Sequence, residues 1–180
     1  MYGVNTIEEK RDYILKRAHI LRDAAGSVNR VKEVIRDFDG KIYNCRFDEA
    51  IANLTDEDHR FYVSNHYGWF YIQFSPRKGN YNNTQSILSG YSCKASDQVR
   101  EQTRQECILF DGKRINAAAM INGLNNKREE LLREAYTLES AADNLEKTLQ
   151  QITDTKALLN NLVQGLPSIV RDACGLKYCY

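Results

Sequence analysis

The sequence predicts an α+β fold: an N-terminal amphipathic helix, a small antiparallel aromatic-rich sheet and a long C-terminal coiled-coil helix. Three observations carry this. Ile14, Leu21, Val28 and Ile35 recur every seven residues, eleven of the eighteen aromatic residues fall between 41 and 94, and Leu or Ile recurs every seven residues from 124 to 166. The first and third are helical periods, whereas the middle stretch alternates as strands do.

The first helix is predicted over 6–38. The Thr6 hydroxyl can accept from the Glu9 amide while the Glu9 carboxylate reaches back, the capping-box arrangement. Ala18, Ala24, Ala25, Val31 and Phe38 fill positions three or four beyond the heptad residues, so one apolar stripe runs to the Asp39-Gly40 turn. Gly26-Ser27 is its weak point, where a kink is expected. Residues 41–47 then read as a strand and Asp48 to Leu54 as a short helix. Residues 60–66 and 69–75 read as a hairpin turned at Tyr67-Gly68. In its second strand Phe70, Ile72 and Phe74 share one face, with Trp69, Tyr71 and Gln73 on the other. Trp69, Tyr71 and Tyr62 are expected to pack against the long helix. Pro76 to Asn83 reads as a loop, and 84–93 fits no single period. Residues 96–110 are predicted as a short helix, the alternative being a hairpin closed by Cys107 to Phe110 and Asp111-Gly112.

The strongest regularity is the heptad seam Leu124, Leu131, Leu138, Leu145, Ile152, Leu159 and Leu166, ended by Pro167. If these are d positions, the a positions are Arg128, Ala135, Ala142, Leu149, Lys156 and Val163, and the alanines admit a close partner. Asn126 and Glu129 repeat a capping pattern that would set 113–125 apart as a separate short helix. The predicted organisation is an α+β domain over 1–112 and a helical coiled-coil segment with a short tail over 113–180. At 1.5 Å per residue the seam extends roughly 60 Å and the first stripe about 36 Å. Uncovered seam implies a second copy or an obligate partner. A homodimer is the expectation, with Leu124, Leu131, Leu138, Leu145, Ile152 and Leu159 as its seam.

With 42% hydrophobic residues in 180, the chain can build a core without staples. No export signal and no apolar run of roughly 20 residues is present, so a cytoplasmic protein without membrane contact is expected. Five cysteines, Cys45, Cys93, Cys107, Cys174 and Cys179, then read as free thiols. Cys45 and Cys107 are expected as small buried residues, and Cys174 and Cys179 lack the spacing of a zinc site. Neither Gly-Lys-Ser/Thr after a glycine-rich turn nor Gly-x-Gly-x-x-Gly occurs, so no cofactor, metal or catalytic residue is assigned. His59 and His66 beside Asp56-Glu57-Asp58 are the one constellation resembling a general-base or metal site. Seven residues apart on a strand, however, the two imidazoles point to opposite faces, and the acids suit a turn after Thr55.

Net charge is +1, yet residues 77–128 carry nine Lys or Arg against four acids, and 129–154 carry seven acids against two bases. The plain reading is a charged helical surface. The functional one is a pair of patches for a partner displaying both phosphate and basic groups. On that reading the contacts are Arg77, Lys78, Arg100, Arg104, Lys113, Arg114, Glu129, Glu130 and Glu134. The aromatic hairpin with Arg77, Lys78 and Tyr81 also has the makings of a stacking platform for single-stranded nucleic acid.

The order helix, strands, long heptad helix over Thr6 to Leu166 is similar to prefoldin-type chaperone subunits, which implies a coiled-coil scaffold or chaperone. The opening Glu8-Glu9-Lys10-Arg11-Asp12-Tyr13-Ile14-Leu15-Lys16-Arg17 and the terse, cofactor-free chain resemble anti-CRISPR inhibitors, small phage and mobile-element proteins directed at the type II RNA-guided nuclease. That resemblance implies a non-enzymatic protein that blocks a nucleoprotein by occupying its protein or nucleic-acid surface. A small metal-dependent nuclease is the third expectation.

Overall fold

A computed structural model describes residues 6–66, 68–77, 83–92, 107–110 and 113–165. The fold is α+β. In chain order the elements are α1 (Ile7–Asp37), α2 (Cys45–Ala52), β1 (His59–His66), β2 (Trp69–Pro76), β3 (Gln85–Ser92), β4 (Cys107–Phe110), β5 (Arg114–Ile115) and α3 (Ala117–Gly165). The chain divides into two compact units. One is Lys16–Leu138; the other joins Met1–Leu15 to Glu139–Tyr180. The boundary predicted at 112/113 falls inside the first of these, because the start of α3 closes the same core as the sheet.

α1 begins as its sequence dictates. Thr6 N donates to Glu9 Oε2 at 2.9 Å and Glu9 N to Thr6 Oγ1 at 3.2 Å. The expected break at Gly26-Ser27 is absent and the helix is continuous over 31 residues. The Ser27 hydroxyl donates to the Ala24 carbonyl at 2.7 Å, so its polar group is satisfied within the helix and needs no kink. Leu21, Val28, Val31 and Ile35 are fully buried, as the stripe requires.

The strand predicted over 41–47 is corrected. Only Ile42 makes an isolated bridge, to Arg114, and a helix starts at Cys45. The reason is Asn44, whose side-chain oxygen accepts from Arg46 N at 3.0 Å and nucleates α2 earlier than expected. Cys45 is consequently at an exposed first helical position rather than in the core. α2 buries Phe47 and Ile51.

The hairpin is as predicted, with register from His59 opposite Pro76 to His66 opposite Trp69. Gly68, at φ +84°, takes the left-handed conformation that its turn demands. β3, in the stretch that fitted no period, adds antiparallel to β2, with an irregularity between Ile72 and Gln73. The helix predicted over 96–110 is corrected in its last turn: Cys107–Phe110 is a strand, and it runs parallel to β3. Residues 96–106 lie outside the described residues. The sheet order is β1-β2-β3-β4-β5, an antiparallel meander with one parallel junction. Short apolar runs such as Cys-Ile-Leu-Phe satisfy either period, and non-local pairing decides between them.

In the Lys16–Leu138 unit, α1 and α3 run antiparallel. Asp39 Oδ1 accepts from Ala117 N at 2.9 Å, and near the other end Arg17 lies 3.2 Å from Glu134. The separate helix over 113–125 is not found, since α3 passes through Asn126 uninterrupted. Its own start is capped by Asn116, whose side-chain oxygen accepts from Ala119 N. α3 approaches β3 closely at Gly123, where an added Cβ would stand 2.8 Å from a Leu88 methyl. One face of the sheet, Phe61, Phe70, Ile72, Phe74 and Leu88, joins the helices' apolar stripes in a single core. Fully burying each such side chain contributes about 1.5–3 kcal/mol. In the second unit Arg11 of α1 lies 3.6 Å from Glu146 of α3.

Candidate functional site

Two surfaces stand out, and each follows from a periodicity that the core uses only in part. The first is the heptad seam of α3. Leu124 and Leu131 are buried in the sheet-bearing unit and Leu138 is partly buried against its core. In the other unit Ala142 is buried and Leu145 half-buried. Ile152 and Leu159 are then 52% and 57% exposed, and so are Leu158 and Leu162, at 63% and 66%. Thr148, Gln151, Ile152, Thr155, Lys156 and Leu159 line a shallow groove of about 440 Å³ on this stretch. The predicted seam is thus two surfaces: a core segment over Leu124–Leu138 and a solvent-facing one around Ile152–Leu162.

The second surface is the other face of the sheet. Because β1 and β2 alternate, Phe61 inward places Arg60, Tyr62 and Ser64 outward, and Phe70, Ile72 and Phe74 inward place Trp69, Tyr71 and Gln73 outward. The register sets Tyr62 opposite Gln73, Ser64 opposite Tyr71 and, on β3, Tyr91 opposite Trp69. The Trp69 and Tyr91 rings meet at 4.0 Å between centroids, and Trp69 and Tyr71 lie 6.3 Å apart with planes only 20° from parallel. The expectation that Trp69, Tyr71 and Tyr62 pack against the long helix is corrected. They share the half-buried outer face, and the phenylalanines supply the helix-packing side. Core contacts are Phe47 against Phe70, and the Arg30 guanidinium 5.5 Å above the Phe61 ring.

Where β1 begins and β2 ends, this face runs into a pocket of about 470 Å³ lined by Ala52, Thr55, Arg60, Phe61, Tyr62, Ser75, Pro76 and Arg77. Two arginines and three hydroxyl-bearing residues are among its lining, and no acidic residue is. Arg60 lies 5.5 Å over the Tyr62 ring, which joins the pocket to the aromatic face. Arg77 is held by its amide, which donates to the Asp58 carbonyl at 2.8 Å, and by Nη1, which donates to the Asp56 carbonyl at 2.9 Å.

The charged residues singled out from sequence do not gather into one site. Lys78, Arg100 and Arg104 lie outside the described residues. Arg114, on β5, donates to the Gly40 carbonyl at 2.7 Å, and neighbouring Lys113 takes φ 66° and accepts from the Tyr43 amide. Arg77, beside the β1 edge, is separated from them by β3 and β4. Glu129, Glu130 and Glu134 sit on adjacent turns of α3, each against a cation: Arg128 at 3.0 Å, Lys127 at 2.7 Å and Arg17 at 3.2 Å.

The histidine constellation is also divided. His66 is at the far end of β1 from His59. Asp56 Oδ1 accepts from the Asp58 and His59 amides, the turn expected after Thr55. His59 Nδ1 is 3.3 Å from Asp56 and Nε2 is 3.5 Å from Asp23, while its ring stacks on Phe74. Arg30, donating to Asp56 at 3.0 Å, is the main reason that carboxyl falls to about 2. The cluster ties α1 to the start of β1. Among the described residues no three His, Cys, Asp or Glu side chains converge as metal ligands, and no helix is long and apolar enough to cross a membrane. On the core side, the Tyr43 hydroxyl donates to Asp48 Oδ2 at 3.0 Å, and burial pushes both groups' pKa up.

Sequence reasoning missed Arg60 and Tyr91. Arg60 was legible, since it lies two residues from Tyr62 on one strand and so shares its face. Tyr91 was not, because β3 carries a register shift that spoils its alternation. Compared with protein-family models, curated proteins and solved structures, the chain matches none.

Proposed function

We propose that this chain is a non-enzymatic binding protein that assembles through the second half of α3 and acts by occupying a partner's surface. The observation that carries this is the run Ile152, Leu158, Leu159 and Leu162, more than half exposed on a helix that continues the heptad of a buried seam. Apolar side chains repeated at that spacing are normally covered by another helix. The occupant is a second copy. Residues 151–165 carry one acid, Asp154, and one base, Lys156, so two copies meet without net repulsion.

Light scattering across the micromolar range tests the assembly. The expected mass is twice 20.8 kDa, and Leu159→Glu with Leu162→Glu is expected to halve it while leaving the fold's circular dichroism intact. A clean monomer for the unmodified chain overturns the homodimer.

The sharper form of the reading is an inhibitor of an RNA-guided nuclease, working in the cytoplasm of the host cell. Its support is the resemblance of residues 8–17 and the opposed charge of 77–128 and 129–154. Pull-down from a lysate containing the assembled nuclease, before and after RNase, is expected to recover that complex. Recovery of unfolded clients alone favours a chaperone-like scaffold instead, and metal-dependent cleavage by the purified chain favours a nuclease.

A further inference from the structure

We propose that the outer face of the sheet binds single-stranded nucleic acid, with bases stacked on Trp69, Tyr71 and Tyr91 and a backbone phosphate held between Arg60 and Arg77. Three features, independent of the α3 seam, lead there.

The rings are arranged to receive planar groups. Tyr91 lies against Trp69 with centroids 4.0 Å apart and planes 41° apart, and Tyr71 lies 6.3 Å from Trp69 with planes only 20° from parallel, so the three rings form one contiguous aromatic cluster. Base–aromatic stacking needs only a π face and is sequence-tolerant, which suits a surface whose remaining positions are small or amide-bearing. Ser64, Gln73 and Ser89 fill those positions, and each supplies a donor or acceptor for a base edge or a ribose hydroxyl.

Charge selects the occupant. The outward residues of β1 and β2 are Arg60, Tyr62, Ser64, His66, Trp69, Tyr71, Gln73 and Ser75, with no carboxylate among them, in a chain whose acids and bases otherwise balance. The pocket beyond Tyr62 adds Arg77, Thr55 and Ser75, again without an acid in its lining. Guanidinium groups paired with hydroxyls are phosphate-binding chemistry, and Arg77 is preset by its bonds to the Asp56 and Asp58 carbonyls.

The geometry also sets direction and length. Arg60 is opposite Ser75, Ser64 opposite Tyr71 and His66 opposite Trp69, so the rings stand four to six residues from Arg60 along β1, about 13–20 Å. An extended single strand can lay phosphate at one end and bases at the other. A duplex, whose bases are stacked inside, offers the rings nothing.

Trp69 is the only tryptophan, so its fluorescence reports directly on the face. Titration with oligo(U) and oligo(dT) of about twelve nucleotides, with a duplex of equal length as control, is the test. The expected result is quenching by the single strands, little by the duplex, and an affinity that falls as salt rises from about 50 to about 200 mM. Tyr71→Ala is expected to weaken binding about ten-fold. Arg60→Gln with Arg77→Gln is expected to lower the log–log salt slope by about 0.7, the share of one phosphate on a single strand. Both arginines are exposed, so this pair keeps the fold even if the tyrosine variant does not. No quenching or anisotropy change up to about 100 µM oligonucleotide at the lower salt overturns the proposal. So does binding that both variants retain in full, equal binding of the duplex, or a protein ligand that occupies the face with no oligonucleotide response.

Discussion

The two faces of the sheet are built from the same strands, yet they carry different kinds of aromatic ring. Inward stand Phe61, Phe70 and Phe74, nearly or wholly shielded from solvent; outward stand Tyr62, Trp69, Tyr71 and Tyr91, each partly wet. Phenylalanine has no polar atom to satisfy, whereas tyrosine and tryptophan keep an O–H or N–H that water or a ligand can take. Alternation sorts residues into two sets, and the chemistry of the rings tells which set faces in.

Truncation on each side gives the largest test of that contrast. Phe70→Ala leaves a cavity between Phe47 and Tyr43 and is expected to cost about 3–5 kcal/mol, read from denaturant unfolding. Tyr71→Ala, one residue away on the other face, is expected to cost less than about 1 kcal/mol. Equal losses would mean that the outer rings are as structural as the inner ones.

Gly68 enforces the sorting, because a one-residue slip in the hairpin would exchange the two faces. With φ at +84°, Gly68→Ala is expected to cost about 1–2 kcal/mol by thermal unfolding. A variant that is neutral would show that pairing with β3, rather than the turn, fixes the register.

Two aspartates sharpen the comparison by pH. Asp56, beside the wet pocket, has a carboxyl lowered from an ordinary 3.8 to about 2, chiefly by Arg30. Its stabilisation is complete above about pH 5 and is lost as pH falls toward 2; with the group 40% exposed, screening keeps it under about 1 kcal/mol. Asp48, beside Phe70's neighbour Tyr43, is raised by burial, so its ionisation opposes folding as pH rises past the unfolded value. Asp56→Asn is therefore expected to destabilise slightly at neutral pH and Asp48→Asn to stabilise slightly, both by urea midpoints.

Much of this was legible in advance where the signal was local. The Thr6–Glu9 box, the α1 stripe, the hairpin and the heptad each rest on residues within one or two turns of one another. What escaped depended on distant partners. Cys107 to Phe110 became a strand only because β3 offers it an edge, and residues 41–47 gave way to one side chain, Asn44, at a helix start. The candidate site divides in the same way. The far end of the seam was foreseen, while the Arg60–Arg77 pocket needed the β1–β2 register to bring together residues seventeen apart.

The bond from Ala117 N to Asp39 closes a span of 78 residues, and Gly40 N to the Ile115 carbonyl closes nearly as long a one. Such closures are entropically late, since the ends have nothing to hold them until the meander between has formed. What forms last is also the first to open. Local opening of the native molecule should therefore begin where α3 starts, and in hydrogen exchange the Ala117 amide should trade its proton well before that of Ile72.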